Sequence, residues 1–595
     1  MFFGVLVSAW ASGTAEAAVW HWAFALVFLA GALFPARPVD LTWVGAVVAC
    51  LIFWTIFHTL FISESYSPAG FFHPLFLAIG FALGRRASVR EGEQLWLTAA
   101  ALALAGIVCY ALVDAVRAGF AAAPFETPAV LAALINLTLM PILVYSLWGS
   151  PPPPAGRLIA LTIFFAGLIG AASRGGWIGF LVGLACALIF FRGRLPAMRN
   201  ALAVAASASM AAGLVLFIHL ARDFLGYGAF GSAARGLGLS ALFLAPSAQQ
   251  ADSSVSRLEL YAVALEAARQ YIPLGSGYLS FAQVLEAGRD RVPSFGSEDV
   301  TFFVHNDYLQ TLLELGLPGL CALLALVLVP LALLFRRRDR LQPADALLCG
   351  ACASGLATMM FHASVDFPFY IPICLAMFGL ALGVLDGCLA SAGIGRIDGV
   401  PRPGALSRAL VSARRVSFAT GLALLLVPLA AERSLAYGNA RWRDGLGEEA
   451  AYGFELARRL QPSDWRYAWF AGQFWAAQAA ATRNPKAVAL ADASFAGGYA
   501  SNRLEVRNLL GRIELRLSTP QLLAQAGVLA ELDAWSVKAL ALAPRNPLAR
   551  MDRVFVLERS GRLDEARREA ARFAFDEPEN PAARALAHRL ARRAG

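Results

Sequence analysis

Charge is scarce in this sequence. Only 15% of its 595 residues are Asp, Glu, Lys or Arg, while 58% are apolar; an ordinary soluble domain carries about 25% and about 45–50%. A soluble chain of this length would divide into about four domains, and so few charges cannot coat four. The charges are also unevenly spread: residues 1–432 hold 48 of them and residues 433–595 hold 43. This pattern predicts a membrane-embedded body over 1–432 and a water-exposed domain over 433–595. It excludes a soluble enzyme, a fibre and a disordered chain.

Three further shortages narrow the reading. Lysine occurs twice, at Lys486 and Lys538, and no block of five or six like charges exists. The net charge of +9 therefore marks no nucleic-acid surface: the body has 25 Arg against 23 acidic residues, and signs alternate in the tail. Cysteine is absent from the tail and from residues 221–310, and all eight cysteines lie in or beside apolar stretches, so no disulfide framework is expected in either region. Cys349 and Cys352 read as small apolar packers. The first apolar stretch lacks a basic leader, so a cleaved signal peptide is not expected.

What is abundant is apolar sequence of spanning length. Such stretches fall at about 17–34, 41–61, 95–117, 129–148, 175–191, 200–220, 312–334, 344–361, 367–387 and 416–432. Shorter ones at about 71–84 and 158–173 complete a set of about twelve, and residues 1–13 can belong to another. Arginine-rich short connections (Arg85, Arg86 and Arg90; Arg157; Arg192, Arg194 and Arg199; Arg336–Arg338 and Arg340; Arg396–Arg415) are separated by even numbers of spans. The positive-inside tendency puts them all in the cytoplasm. Arg174, the 221–311 loop, the Phe361–Asp366 turn and the tail then lie outside. Residues 389–415 read as a cytoplasmic linker. Asn136, inside a span, is expected to bond a neighbouring helix, and Asp366 to stay wet at an outer mouth.

A ninety-residue outer loop far exceeds the usual connection of about 4–6 residues. Ser256–Tyr271 reads as a helix carrying Arg257, Leu274-Gly275-Ser276-Gly277-Tyr278 as a turn, and His305-Asn306-Asp307-Tyr308-Leu309-Gln310 leads into the apolar segment with Glu314. Arg174, Arg257 and His305 share one side of the membrane. Two guanidinium groups can grip a diphosphate, and an imidazole can accept a hydroxyl proton near neutral pH. Asp307 or Glu314 can orient His305. Glu298, Asp299 and Asp307 lie near one another but make no convincing metal-ligand set, so neither metal nor cofactor is expected.

His305-Asn306-Asp307-Tyr308-Leu309-Gln310 followed by Glu314-Leu315-Gly316-Leu317-Pro318-Gly319 resembles the signature of the O-antigen ligase, Wzy polymerase and protein O-oligosaccharyltransferase superfamily. Ser173-Arg174-Gly175, Ser256-Arg257-Leu258 and Pro273-Leu274-Gly275-Ser276-Gly277 support it. The resemblance implies metal-independent, inverting glycan transfer from an undecaprenyl-diphosphate-linked donor at the periplasmic face of a bacterial inner membrane. Polysaccharide polymerase or O-antigen ligase stands first, with a glycan or lipid A-core acceptor; protein O-oligosaccharyltransferase stands second. By the resemblance His305 matches the base or acceptor-orienting histidine. Arg257 and Arg174 match the arginines assigned to the donor diphosphate, with Asn306 and Asp307 shaping the turn. A transporter or a non-catalytic envelope-assembly scaffold is the alternative of another class; scarce charge within the spans and the lack of an inverted repeat count against transport.

The tail alternates helical stretches with Pro/Asn/Asp breaks. Pro544 to Pro578 and Pro547 to Pro581 are each 34 residues, which resembles a tetratricopeptide-like stack of paired helices. The fold expected is thus all-α: a polytopic membrane protein of about twelve transmembrane helices with a large, partly helical periplasmic loop, and a C-terminal soluble helical repeat domain. Membrane lipids and a protein partner on the repeat face are the further partners expected. Trp465, Tyr467, Trp469, Phe470 and Trp475 read as packing between helices in preference to a sugar-stacking platform.

Overall fold

The computed structural model describes residues 41–592 apart from 88–92, 122–126, 225–247, 293–300, 398–426 and the single positions 64, 66, 68, 119, 150, 151 and 429. The expected segment 17–34, residues 1–13, most of 389–415 and most of 416–432 lie outside the described residues. Every element among the described residues is helical, apart from two isolated bridges, Thr42 with Arg396 and Ser65 with Asn502.

Ten helices stand where apolar segments are expected: α1 (Trp43–Phe61), α2 (Ala69–Ala87), α3 (Glu93–Ala118), α4 (Pro128–Trp148), α5 (Ala155–Gly170), α6 (Arg174–Phe190), α7 (Met198–Phe224), then α10 (Asp307–Arg337), α11 (Pro343–His362) and α12 (Pro372–Ser391). Between them α8 (Ala248–Tyr271) and α9 (Phe281–Ala287) form the helical part of the long loop. Among the described residues, six helices are long and apolar enough to cross a membrane, against the twelve expected. Others are short: α6 has 17 residues, about 25 Å at 1.5 Å per residue, less than the roughly 30 Å hydrocarbon core. The segment expected to start at 367 begins as a helix only at Pro372, because Pro368–Tyr370 forms a separate 3-10 turn.

Close backbone approach holds the bundle's core together. Gly80 and Gly84 on α2 face Gly379 and Gly383 on α12, and a Cβ on any of the four would run into a carbonyl of the opposite helix. Small residues at this four-residue spacing let two membrane helices meet backbone to backbone. At one end of this pair Arg85 bonds the buried Asp386 at 3.0 Å, and Thr42 donates to the same carboxylate at 2.9 Å. Arginine-bearing connections gather at this end: Arg338 donates to the Phe190 carbonyl, and Trp148 donates to the Arg194 carbonyl. The starts of α6 and α10 and the end of α11 lie at the opposite end.

The C-terminal region stacks α13 (Gly447–Leu460), α14 (Trp465–Thr482), α15 (Pro485–Ser501), α16 (Val506–Ser518), α17 (Val528–Leu542), α18 (Pro547–Arg559), α19 (Leu563–Asp576) and α20 (Pro581–Arg592), each packed on the next. The 34-residue spacing has a local cause. Asn546 and Asn580 each accept hydrogen bonds from the first backbone N–H groups of α18 and α20, and Pro547 and Pro581 follow them directly. An Asn cap with proline at the first helical position is a strong start signal. Tyr467, Trp469, Phe470 and Trp475 all lie in packed clusters between helices. The stack touches the body where Asn502 donates to Ser65 at 2.9 Å, where Arg545 pairs with Asp290 at 2.8 Å, and where Leu504 joins the apolar cluster of the loop.

Candidate functional site

The long loop is keyed to α10 by a break in that helix. Gly316 has φ 69° and ψ −166° inside α10, a conformation that only glycine adopts without strain. The break frees carbonyls that the loop and α1 then satisfy. Ser276 N–H donates to the Leu313 carbonyl, Gly277 N–H to that of Glu314, and the Trp54 indole to that of Leu315 at 2.8 Å. A Cβ on Gly316 would strike the Pro273 carbonyl, and one on Gly275 would strike that of Glu314. The two glycine-containing motifs are thus complementary halves of one interlock. Glu314 completes it by accepting from the Leu279 and Phe281 N–H groups, from Gln310 and from the Tyr370 hydroxyl at 2.7 Å.

His305 sits directly before α10, with φ 60°. A non-glycine residue in the left-handed region persists only where its surroundings over-determine it. Here the Val304 N–H donates to Gln310, the Tyr261 hydroxyl donates to the His305 carbonyl at 2.8 Å, and Asn306 caps α10 while bonding the Ser364 carbonyl. The imidazole stands edge-on to Phe367, and its Nδ1 lies 3.1 Å from Asp366 Oδ1.

Asp366 corrects two expectations. It is not wet, since its side chain is 2% exposed. It also takes the place expected for Asp307 or Glu314 as the group orienting His305. Asp307 instead accepts from the Phe369 N–H, and Glu314 is committed to the interlock. Burial opposes ionisation of the Asp366 carboxyl, but the His305 and His362 imidazoles outweigh it and hold the carboxyl well below the usual range. The His362 Nε2 stands 3.9 Å from Asp366, an ion-pair distance too long for a hydrogen bond. A carboxylate only accepts, so the Asp366 bond puts a proton on Nδ1 of His305, and in the neutral ring the lone pair is then on Nε2. The His305 side chain is 23% exposed, enough for another molecule to reach it.

Arg257 and Arg174 are linked to His305 through different neighbours, Tyr261 and His362. Arg257 lies four residues before Tyr261 on α8, about 6 Å along the axis. Burial raises the Tyr261 hydroxyl's pKa, and the Arg257 charge works against that rise. Arg174 opens α6 under the Ser173 cap, whose hydroxyl accepts from Gly176 N–H at 3.1 Å. The next residue, Gly175, faces the His362 ring and Val365 across a gap that a Cβ would fill. Asn136 fixes this start by donating to the Gly176 carbonyl at 2.7 Å, the helix-to-helix bond expected of it. Arg174, His362, Asp366, His305, Tyr261 and Arg257 therefore follow one another around a single end of the bundle. Among the described residues no three His, Cys, Asp or Glu side chains gather so as to hold a metal ion; Glu298 and Asp299 lie outside those residues.

Sequence reading missed Asp366, Tyr261 and His362. The available signals were the one-turn spacing of Arg257 and Tyr261, which places them on one face of α8, and the four-residue spacing of His362 and Asp366, which the turn after α11 closes with a bond from the Asp366 N–H to the His362 carbonyl.

Residues 159–324 match the O-antigen ligase family. The matched stretch contains Arg174, Arg257, His305 and the Gly316 break but ends before Asp366. No curated protein matches the chain. The match and the apolar helices together support a membrane-embedded glycan-processing enzyme of this general class.

Proposed function

We propose that this protein transfers a glycan from an undecaprenyl-diphosphate-linked donor to a hydroxyl acceptor at the periplasmic face of a bacterial inner membrane. The reading is carried by one observation: His305, within the stretch that matches O-antigen ligases, is held at Nδ1 by a buried carboxylate while its side chain stays partly exposed. The acceptor oxygen attacks the anomeric carbon as the bond from that carbon to the diphosphate oxygen breaks, inverting the centre. The acceptor proton passes to His305 Nε2, and Asp366 stabilises the imidazolium so formed. The diphosphate leaves as an anion and needs no acid. Arg174 and Arg257 stabilise its growing charge, where transition-state binding is worth most. Arg174 stands at the positive end of α6, where a cation gains nothing from the helix dipole; an anion there meets both the dipole and the guanidinium.

In this reading residues 1–432 form the transfer domain, 389–415 a cytoplasmic linker and 433–595 a periplasmic tetratricopeptide-like domain. The bonds from the helical stack to Ser65 and Asp290 favour a shared side, because both partners lie at the same end as His305. Polymerase or O-antigen ligase chemistry is the first reading of the acceptor and protein glycosylation the second. A deletion strain complemented with the wild type or with His305→Ala tests both levels. Three readouts are scored: glycan chain length, lipid A-core attachment and protein glycosylation. The wild type is expected to restore one of them and His305→Ala none. Full restoration by His305→Ala sinks the transfer chemistry.

A further inference from the structure

The helical stack carries a groove that the transfer chemistry does not use. It has a volume of about 730 Å³ and lies between α16, α18 and the end of α20. These alternate members of the stack line one side of it. Its floor is Asp552, which is 5% exposed and whose Oδ2 has no hydrogen-bond donor. Glu514 faces it across the groove. Burial, with the Glu514 charge adding to it, pushes the Asp552 carboxyl up to about 8.

This arrangement is unlike the rest of the stack. Nearby acids are matched to arginines: Asp492 with Arg512 and Arg516, Asp533 with Arg553 and Arg562, Asp576 with Arg550, and Glu558 with Arg589. In a tail rich in arginine, Asp552 and Glu514 make no ion pair among the described residues. A buried acid without a donor is costly, and a cation entering the groove supplies both the missing hydrogen bond and the missing charge. The walls choose among cations. Leu517, Leu548 and Met551 are apolar, with Leu548 49% exposed. The Arg589 guanidinium lies over one face of the Phe555 ring, 5.7 Å from its centroid, so that face is not open for a sugar to stack on. Arg559 and the Glu558–Arg589 pair also line the groove, and such a mixture of apolar walls and charged groups fits a polypeptide better than a neutral glycan.

We propose that this groove binds a polypeptide segment, taking one lysine or arginine side chain between Asp552 and Glu514 and laying flanking apolar residues on Leu517, Leu548 and Met551. The bound segment is held beside the loop, because Arg545, one residue before the cap of α18, is the residue that pairs with Asp290. The inference stands apart from the glycan-transfer reading and survives its failure.

The test uses the full-length protein in lipid nanodiscs and fluorescence anisotropy. The probes are labelled nonapeptides with blocked termini, built from Leu, Ala and Ser around one central Lys, with matched Gln and Glu versions. A labelled neutral maltooligosaccharide is the competitor. The Lys peptide is expected to bind at least about tenfold more tightly than the Gln peptide, since a charge pair in a half-buried site decides the difference, and the Glu peptide not to saturate. Asp552→Asn and Glu514→Gln should each remove most of that preference. Glu514 is exposed, so its variant tests the groove without threatening the fold. Equal binding of the Lys and Gln peptides, no saturation by about 1 mM, displacement by the oligosaccharide, or an unchanged preference in both variants overturns the proposal.

Discussion

Replacing Asp366 by Asn tests the core of the site. The side chain keeps its size, and its amide can donate towards His362, whose ring nitrogens have no hydrogen-bond partner among the described residues, so the turn should fold. The charge facing His305 is lost. The Nδ1 to Oδ1 distance of 3.1 Å puts the charge centres of imidazolium and carboxylate about 4 Å apart. With an effective dielectric of about 20, one such pair is worth about 4 kcal/mol. At 1.36 kcal/mol per decade this is about a thousandfold in rate, within the range of about 10²–10⁴ usual for a positioned base. The assay is transfer in proteoliposomes from a synthetic polyprenyl-diphosphate oligosaccharide under saturating donor. Turnover should fall about a thousandfold while the donor KM stays within about twofold, because Asp366 serves the proton and not the diphosphate. His305→Ala should lose about as much, and the double variant no more than either. A rate within about threefold of wild type, or additive losses, would refute the coupling of these two residues.

Three other outcomes are expected. Arg174→Lys and Arg257→Lys should each lower turnover about 10–100-fold at normal protein levels, because lysine keeps the charge but loses the two-pronged donor; near-normal transfer by both defeats the diphosphate clamp. Gly316→Ala should destabilise the fold by at least about 3 kcal/mol, combining about 1–3 kcal/mol of backbone strain with the collision at the Pro273 carbonyl. Leu317→Ala, at an exposed neighbour, should melt in detergent like wild type. Asp552→Asn should stabilise the stack at neutral pH. The Asp552 carboxyl is raised to about 8 when folded and ionises near 3.9 when unfolded, so ionisation of the unfolded chain drains stability as pH rises from about 4 to about 8. At 1.36 kcal/mol per pH unit the drain reaches about 4 kcal/mol at pH 7, and Asn removes it. Hydrogen exchange of α18 in the full protein should slow at pH 7 and match wild type near pH 4; an equal difference at both pH values contradicts the assignment.

Composition and periodicity were enough to establish a helical membrane body and a helical tail, because helices in lipid must be apolar over a fixed length and helices in water must be amphipathic. In α19 the buried residues Ala566, Ala570 and Phe573 recur at the helical period, and the Asn-Pro starts of α18 and α20 were legible as a 34-residue spacing. Span number was less legible: α6 is shorter than the hydrocarbon core, and hydropathy ignores tilt and burial. His305, Arg257 and Arg174 were visible as unusual residues in an apolar chain, and their neighbourhood was not. Asp366 lies 61 residues from His305, in a turn whose sequence looks like any wet connection. Its burial depends on the His305 and His362 rings that stand beside it, which no local pattern encodes. The orphan state of Asp552 is likewise a property of three helices meeting, since one arginine placed differently would have paired it. Sequence alone marked which residue types are able to do chemistry; the packing of distant helices decided which of them are buried and which pair, as Asp366 does with His305, because desolvation and pairing depend on neighbours that the chain order does not supply.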